Sequence, residues 1–247
     1  MIRAFIFDLD GTLVDTLGEI AEVMNDILQE RHWPAYPTSA YRAMVGKGLR
    51  ALIQSAVPKD AAYNQEELYA QTLERFEKRG AGTSVPYPGT AETLRDLDRN
   101  GIPLAVLSNK PDPVTRLVVA QLFPNIPFAF VRGGIDGMPI KPHPSSALDA
   151  LASMRAVVDK DYYSGISDSF LLGPLGSLMP QASDRPPEQL RAGDCALVGD
   201  SDVDIKTAQN AGMMAVGAAW GFRGEEELHA AGARYVFKSI REILRLI

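Results

Sequence analysis

The sequence predicts an α/β protein, a doubly wound parallel sheet into which an all-helical segment is inserted. Three observations lead there. Short apolar runs that do not alternate with polar residues recur from residue 86 onward, separated by stretches of helical periodicity. Runs of this texture suit parallel strands buried on both faces. Another such run, Ala4–Phe7, comes early, and no strand signal follows it between residues 16 and 83.

Taken in order, strands are expected at Ala4–Phe7, Pro103–Leu107, Phe128–Val131, Cys195–Val198, Met214–Gly217 and Arg234–Phe237. Helices are expected at Gly89–Asn100, Val114–Leu122, Ser145–Met154, Val203–Ala211 and Ile240–Leu246. A doubly wound sheet of this kind places its site beyond the carboxyl ends of the strands. In the strand-free stretch, Ile20, Val23, Met24, Ile27 and Leu28 form a helical apolar stripe. A second helix is expected over Ser39–Ala56 and a third over Ala61–Arg79, with a return through Gly80-Ala81-Gly82-Thr83-Ser84. Residues 1–15 and 84–247 then form the core and residues 16–83 a helical domain. That domain is either a lid over the site or a passive appendage.

The 247 residues suffice for one large domain, or a core with a small addition. Apolar residues make up 46% and charged residues 23%, as in ordinary globular proteins. No apolar run approaches the roughly 18 residues of a membrane span, so no membrane partner is expected. The N-terminal residues lack a basic n-region and a small-residue cleavage site, and no signal peptide is expected. The single cysteine, Cys195, cannot form an internal disulfide, which fits a reducing cytoplasm. It sits in the apolar run Cys195-Ala196-Leu197-Val198 and reads as a buried, inert thiol. A net charge of −6 without a Lys/Arg cluster argues against nucleic acid.

The most informative segment is Phe5-Ile6-Phe7-Asp8-Leu9-Asp10-Gly11-Thr12-Leu13-Val14-Asp15-Thr16. An apolar run stops at two carboxylates two residues apart, whose side chains project to one side of an extended chain. Such a pair either shares a proton or needs a cation. A solvated Asp-x-Asp-Gly turn is the plain alternative, against which stand the apolar flanks. Three further strand ends carry polar chemistry. Ser108-Asn109-Lys110-Pro111 offers a hydroxyl and backbone N–H groups that suit a phosphate oxygen, or only a turn. Lys141-Pro142-His143-Pro144 holds a lysine on a stiff, non-helical segment, although a lone lysine is ordinarily at the surface. His143 has no second candidate ligand beside it. In Gly199-Asp200-Ser201-Asp202-Val203-Asp204, Asp200 would stand at a strand end as an oxygen ligand for Mg²⁺. Ser201 or Asp202 there would also serve as a helix cap.

These four segments, in this order and each after an expected strand, resemble the four motifs of the haloacid dehalogenase-like (HAD) superfamily. The resemblance runs along the whole chain except for one stretch. It implies a Rossmann-like core and a helical cap. It also implies two phosphoryl transfers, with Asp8 as the nucleophile and Asp10 as the general acid and base. Ser108 becomes the phosphate-binding hydroxyl, where members more often carry Thr, and Lys141 offsets charge on the nucleophile. Mg²⁺ would be held by Asp8, the Asp10 backbone carbonyl and Asp200, with Asp204 as a supporting acid.

Among capped members the resemblance is nearest to phosphoglycolate phosphatases. It rests on Val45-Gly46-Lys47-Gly48-Leu49-Arg50, Pro88-Gly89, Ser108-Asn109-Lys110-Pro111 and Lys141-Pro142-His143-Pro144. It implies a small phosphorylated metabolite as substrate and a monomer or homodimer. Asn109 and, in the cap, Lys47 and Arg50 become substrate-binding candidates. The glycines of this cap loop either lower backbone onto the substrate or only join two helical turns. Alternatives are another phosphatase of the branch, such as a pyrophosphatase, or a sugar-phosphate mutase of the β-phosphoglucomutase type. The mutase is disfavoured because Leu17 to Arg31 contains no histidine. A metal-free dehalogenase would not need Asp10 and Asp200, and a silent binding module would not need these motifs intact. The exceptional stretch, residues 159–187, reads as an atypical insertion of the core that enters far from the phosphate. It is longer than a passive loop and carries Tyr162, Tyr163 and Phe170.

Overall fold

The computed structural model describes residues 1–170 and 189–247. Six parallel strands form the central sheet: β1 (Ala4–Phe7), β4 (Leu104–Pro111), β5 (Phe130–Gly134), β6 (Cys195–Gly199), β7 (Met214–Ala218) and β8 (Tyr235–Phe237). Their order is β5-β4-β1-β6-β7-β8, and each neighbouring pair is parallel. The fold is α/β, doubly wound and Rossmann-like.

Strand periodicity divides the core between two faces. Phe5 and Phe7 join Leu104, Val106, Ala196 and Val198 on one side of the sheet. Helices α4 (Thr90–Arg99) and α5 (Asp112–Leu122) cover that side through Leu94, Leu97, Val114 and Val118. Ala4 and Ile6 face the other way with Ala105, Leu107 and Leu197. There they meet α6 (Ser145–Phe170), α7 (Asp202–Asn210) and α8 (Glu225–Ala230). Both faces are apolar, which explains why the strands read as runs without alternation. A 3₁₀ helix, Ile240–Leu246, stands where the sequence predicts an α-helix.

Residues 16–83 contain no strand. Helix α1 (Leu17–Glu30) buries the expected stripe of Ile20, Val23, Met24, Ile27 and Leu28. The continuous helix expected over Ser39–Ala56 is instead a 3₁₀ turn, Thr38–Ala43, followed by α2 (Leu49–Ala56). Gly46 at φ +110° and Gly48 at φ +87° hold left-handed backbone between them, which no helix can include. Helix α3 (Gln65–Arg79) starts four residues later than expected, because Asn64 caps it by accepting from Glu66 N and Glu67 N. Two short strands, β2 (Val14–Asp15) and β3 (Val85–Pro86), pair antiparallel at the two ends of this helical segment.

Helix α6 runs to Phe170, past Met154 where the sequence predicts its end, so the first part of the stretch read as an insertion, up to Phe170, is helical. The remainder lies outside the described residues. Among the described residues no helix is long and apolar enough to cross a membrane.

Glu19, in α1, ties the helical segment together from a buried position. It accepts from Arg79 Nε at 2.6 Å, at the end of α3, and from Thr83 N at 2.8 Å on the return. Arg79 also pairs with Glu22. Replacing Glu19 by alanine strands these donors, so Glu19→Ala should lower unfolding free energy by about 1–3 kcal/mol. Urea denaturation followed by circular dichroism reads this as a lower midpoint with an unchanged slope.

Candidate active site

The order of strands reverses at β1, which lies between β4 and β6. The crevice at their carboxyl ends is where such sheets carry a site. Asp8 follows β1 directly and Asp200 follows β6. Ser108, Asn109 and Lys110 lie where the register between β4 and β5 shifts, after Leu107 and before Pro111. Such an irregularity re-aims side chains at a strand end. Lys141 arrives from the loop between β5 and α6.

Oxygens of Asp8, Asp200 and Asp204 come within 4.8 Å of one another, all from buried residues. Lys141 stands among them, its Nζ 2.8 Å from Asp8 Oδ1 and 2.7 Å from Asp204 Oδ1. The side chain of Asn109 fixes this lysine. Its Oδ1 accepts from Lys141 N at 2.9 Å, and its Nδ2 donates to Lys141 O at 3.0 Å and to Gly46 O at 2.9 Å. Asp204 belongs to the first turn of α7 and closes a capping box with Ser201, whose Oγ donates to Asp204 Oδ2 at 2.6 Å. Asp200 Oδ2 accepts from Phe222 N at 2.7 Å.

Crowding of carboxylates requires thin backbone around them. A Cβ on Gly11, at φ +80°, would lie 2.3 Å from Asp200 Oδ2. A Cβ on Gly221 would meet Gly11 O at 2.1 Å. Both positions are closed to any side chain.

The electrostatics follow from burial. Desolvation, then the charge of Asp204, pushes the Asp8 carboxyl up to about 7, against the opposing pull of Lys141. Burial likewise lifts Asp200 well above the carboxylate range, with Asp204 and Asp8 adding to it. For Lys141, burial works to lower the ammonium, but Asp204 and Asp8 more than offset it and hold it charged. Asp10 pairs with a second ammonium, Lys110 Nζ, at 3.1 Å. Four carboxylates thus meet two buried ammoniums. An oxygen-rich cluster with a deficit of positive charge fits a hard divalent cation.

A cavity of about 50 Å³ lies over this cluster. Asp8, Asp10, Ser108, Asn109 and Asp200 line it, while helices α1, α2 and α3 contribute Ile20, Leu49, Leu52 and Phe76. Of the proposed substrate-binding residues, Asn109 is at this cavity and Lys47 and Arg50 are not. Arg50 is held by Glu66 at 2.8 Å and Asp136 at 3.0 Å, its guanidinium 4.2 Å from the Tyr69 ring centre. Lys47 lies near Asp202, helping to lower that carboxyl after the stronger effect of Lys206. Three contributors carried no role in the sequence reading: Lys110, Phe222 and Arg223. Lys110 adjoins Ser108-Asn109 and was visible as a charge beside a motif. The loop holding Phe222 and Arg223 shows no local signal, since only the sheet brings it to Asp200.

A family model described as haloacid dehalogenase-like hydrolase matches residues 2–212. A phosphoglycolate phosphatase of Pectobacterium atrosepticum is 29% identical over 250 residues, covering 100% of this chain and 92% of that protein. Among solved structures, a predicted phosphoglycolate phosphatase from Haemophilus somnus aligns with a TM-score of 0.76 at 24% identity. The alignment covers 99% of this chain and 97% of that one. CbbY from Rhodobacter sphaeroides in complex with phosphate aligns with a TM-score of 0.70 at 22% identity, covering 98% and 96%.

A carboxyl raised on folding has a definite stability signature. The folded state holds the Asp8 proton from the ordinary carboxylate range up to about 7, so stability is lost as pH rises through that window. A divalent cation that replaces the proton should restore it. The rise in Tm on adding millimolar Mg²⁺ should therefore be larger at about pH 7.5 than at about pH 5. Equal shifts at both values would contradict cation binding at this cluster.

Proposed function

The chain belongs to the haloacid dehalogenase-like hydrolase family, and we propose that it is a Mg²⁺-dependent phosphomonoester hydrolase working through an aspartyl-phosphate on Asp8. The observation that carries this is Asp8 at the cavity, beyond the end of β1, with Asp200 and Lys141 beside it. Asp8, the backbone carbonyl of Asp10 and Asp200 would hold the ion, and Asp204 would support it. When bound, Mg²⁺ neutralises charge on the carboxylate and the phosphoryl oxygens.

A carboxylate oxygen of Asp8 attacks phosphorus as the bond to the leaving oxygen breaks. Asp10 gives its proton to that oxygen, releasing an alcohol. It then takes a proton from water as the water attacks phosphorus, and the bond to Asp8 breaks to free inorganic phosphate. Ser108 Oγ donates to a phosphoryl oxygen. The ammonium of Lys141 offsets charge that would otherwise repel by about 4 kcal/mol per contact pair at an effective dielectric near 20.

In this reading residues 16–83 are the cap and residues 1–15 with 84–247 are the core. The apolar side chains from α1, α2 and α3 that line the cavity support a cap that excludes water. A small phosphorylated metabolite is the substrate, of the phosphoglycolate kind named for the Pectobacterium relative. The lone, buried Cys195 accords with a cytoplasmic setting.

Asp8→Asn should remove Mg²⁺-dependent release of phosphate from p-nitrophenyl phosphate by about a thousand-fold or more, with an unchanged circular dichroism spectrum. EDTA should silence the parent enzyme equally. Near-parental turnover in the variant would rule out Asp8 as nucleophile.

A further inference from the structure

The geometry points to Asn109 as the positioning residue through which the helical segment, once seated on the core, sets the place of Lys141. This rests on the phosphatase reading above and gives the cap of that reading a task beyond covering the cavity. The sequence makes Asn109 a substrate-binding candidate, but its amide is already engaged. A primary amide has two N–H donors and one carbonyl oxygen. Both Nδ2 hydrogens are used, on Lys141 O at 3.0 Å and on Gly46 O at 2.9 Å, while Oδ1 accepts from Lys141 N at 2.9 Å. These partners fix which way the amide faces, since a carbonyl oxygen only accepts and a backbone N–H only donates. The residue is buried, so losing any of these bonds would leave a group unsatisfied.

One side chain thus grips both backbone groups of the lysine whose Nζ stands between Asp8 and Asp204. Its third bond reaches the helical segment. Gly46 holds φ +110°, and a Cβ there would meet nothing within 4 Å, so glycine serves the backbone turn and not a close approach. That turn brings two consecutive carbonyls to the core. Val45 O accepts from Arg223 Nη2 at 3.1 Å, and the neighbouring Phe222 N donates to Asp200 at 2.7 Å. Each carbonyl therefore meets a core loop that holds a charged member of the site. Asp136 also joins the two parts, pairing with Arg50 at 3.0 Å, but among the described residues it bonds to no group of the site. Lifting the helical segment would take Gly46 O away and leave the Asn109 amide free to turn from Lys141. Seating the segment completes the three bonds. Linkage makes the effect mutual: a ligand bound with the help of Lys141 must favour the seated loop.

The test has a kinetic arm and a structural one. Asn109→Ala should lower kcat for phosphoglycolate about 10- to 100-fold and leave KM within about threefold, whereas loss of a substrate contact would raise KM. In a Lys141→Ala background the same change should cost less than about threefold more, because both act through one ammonium. Hydrogen exchange reads the other side of the link. Mg²⁺ with saturating inorganic phosphate should slow amide exchange over residues 45–52 in the parent and no longer do so in Asn109→Ala. Asn109→Asp, which keeps the acceptor for Lys141 N and lacks both donors, serves if the alanine variant does not fold. Asp136→Asn should leave kcat unchanged. The assignment would be overturned by a rise in KM alone, by full additivity with Lys141→Ala, or by an equal loss of kcat in Asp136→Asn. Exchange that the ligand does not slow in the parent, or slows as much in the Asn109 variants, would overturn it too. A parent enzyme that releases phosphate from neither phosphoglycolate nor p-nitrophenyl phosphate with Mg²⁺ would instead refute the phosphatase reading.

Discussion

The site is organised around a charge imbalance that the fold holds in place. Asp8 from one stretch of the chain meets Asp200 and Asp204 from another, and Lys141 from a third reaches two of them within 2.8 Å. Left alone, buried like charges at this spacing would force protons onto the carboxyls, which is the direction in which Asp8 and Asp200 are shifted. The fold does not relieve the strain by separating them. Gly11 and Gly221 instead let backbone pack closely against Asp200, and Asn109 spends both ends of its amide on the Lys141 backbone. On the proposed reading, such an arrangement would trade stability without a cation for affinity toward one.

Sheet topology makes the convergence possible. With β1 between β4 and β6, three consecutive strand ends open on one crevice, and residues some two hundred positions apart become neighbours. Burial of both sheet faces fixes the registers, since a slip of one residue would exchange Phe5 and Phe7 for Ala4 and Ile6 across the sheet. Precision at the site is thus a consequence of packing far beneath it.

Most of the sheet was legible in the sequence because strands buried on both sides write themselves as unbroken apolar runs. The motifs were legible because each follows such a run. What escaped notice was short or non-local. Helix α8 spans six residues with Leu228 as its buried anchor, too little for a period to show. The pairing of β2 with β3 involves two residues on each side. The break at Gly46 and Gly48 lay inside an otherwise helical pattern, and single glycines in such a pattern do not declare their φ. Lys47 and Arg50 were read from their closeness in sequence to those glycines, yet a helix start turns neighbouring side chains in different directions. Arg223 owes its position to the assembled crevice, which no local window contains, whereas Lys110 stood in view beside a motif without a role.

The small ribbon of β2 and β3 carries a mechanical implication. Both passages of the chain between the helical segment and the sheet run side by side there, Val14 against Pro86 and Asp15 against Val85. Two adjacent tethers joined by hydrogen bonds act as one hinge pin. Any swing of the helices away from the strands must then turn about that line, with sliding and twisting suppressed. If residues 16–83 are the cap proposed above, the wall bearing Leu49 and Phe76 would lift about that line.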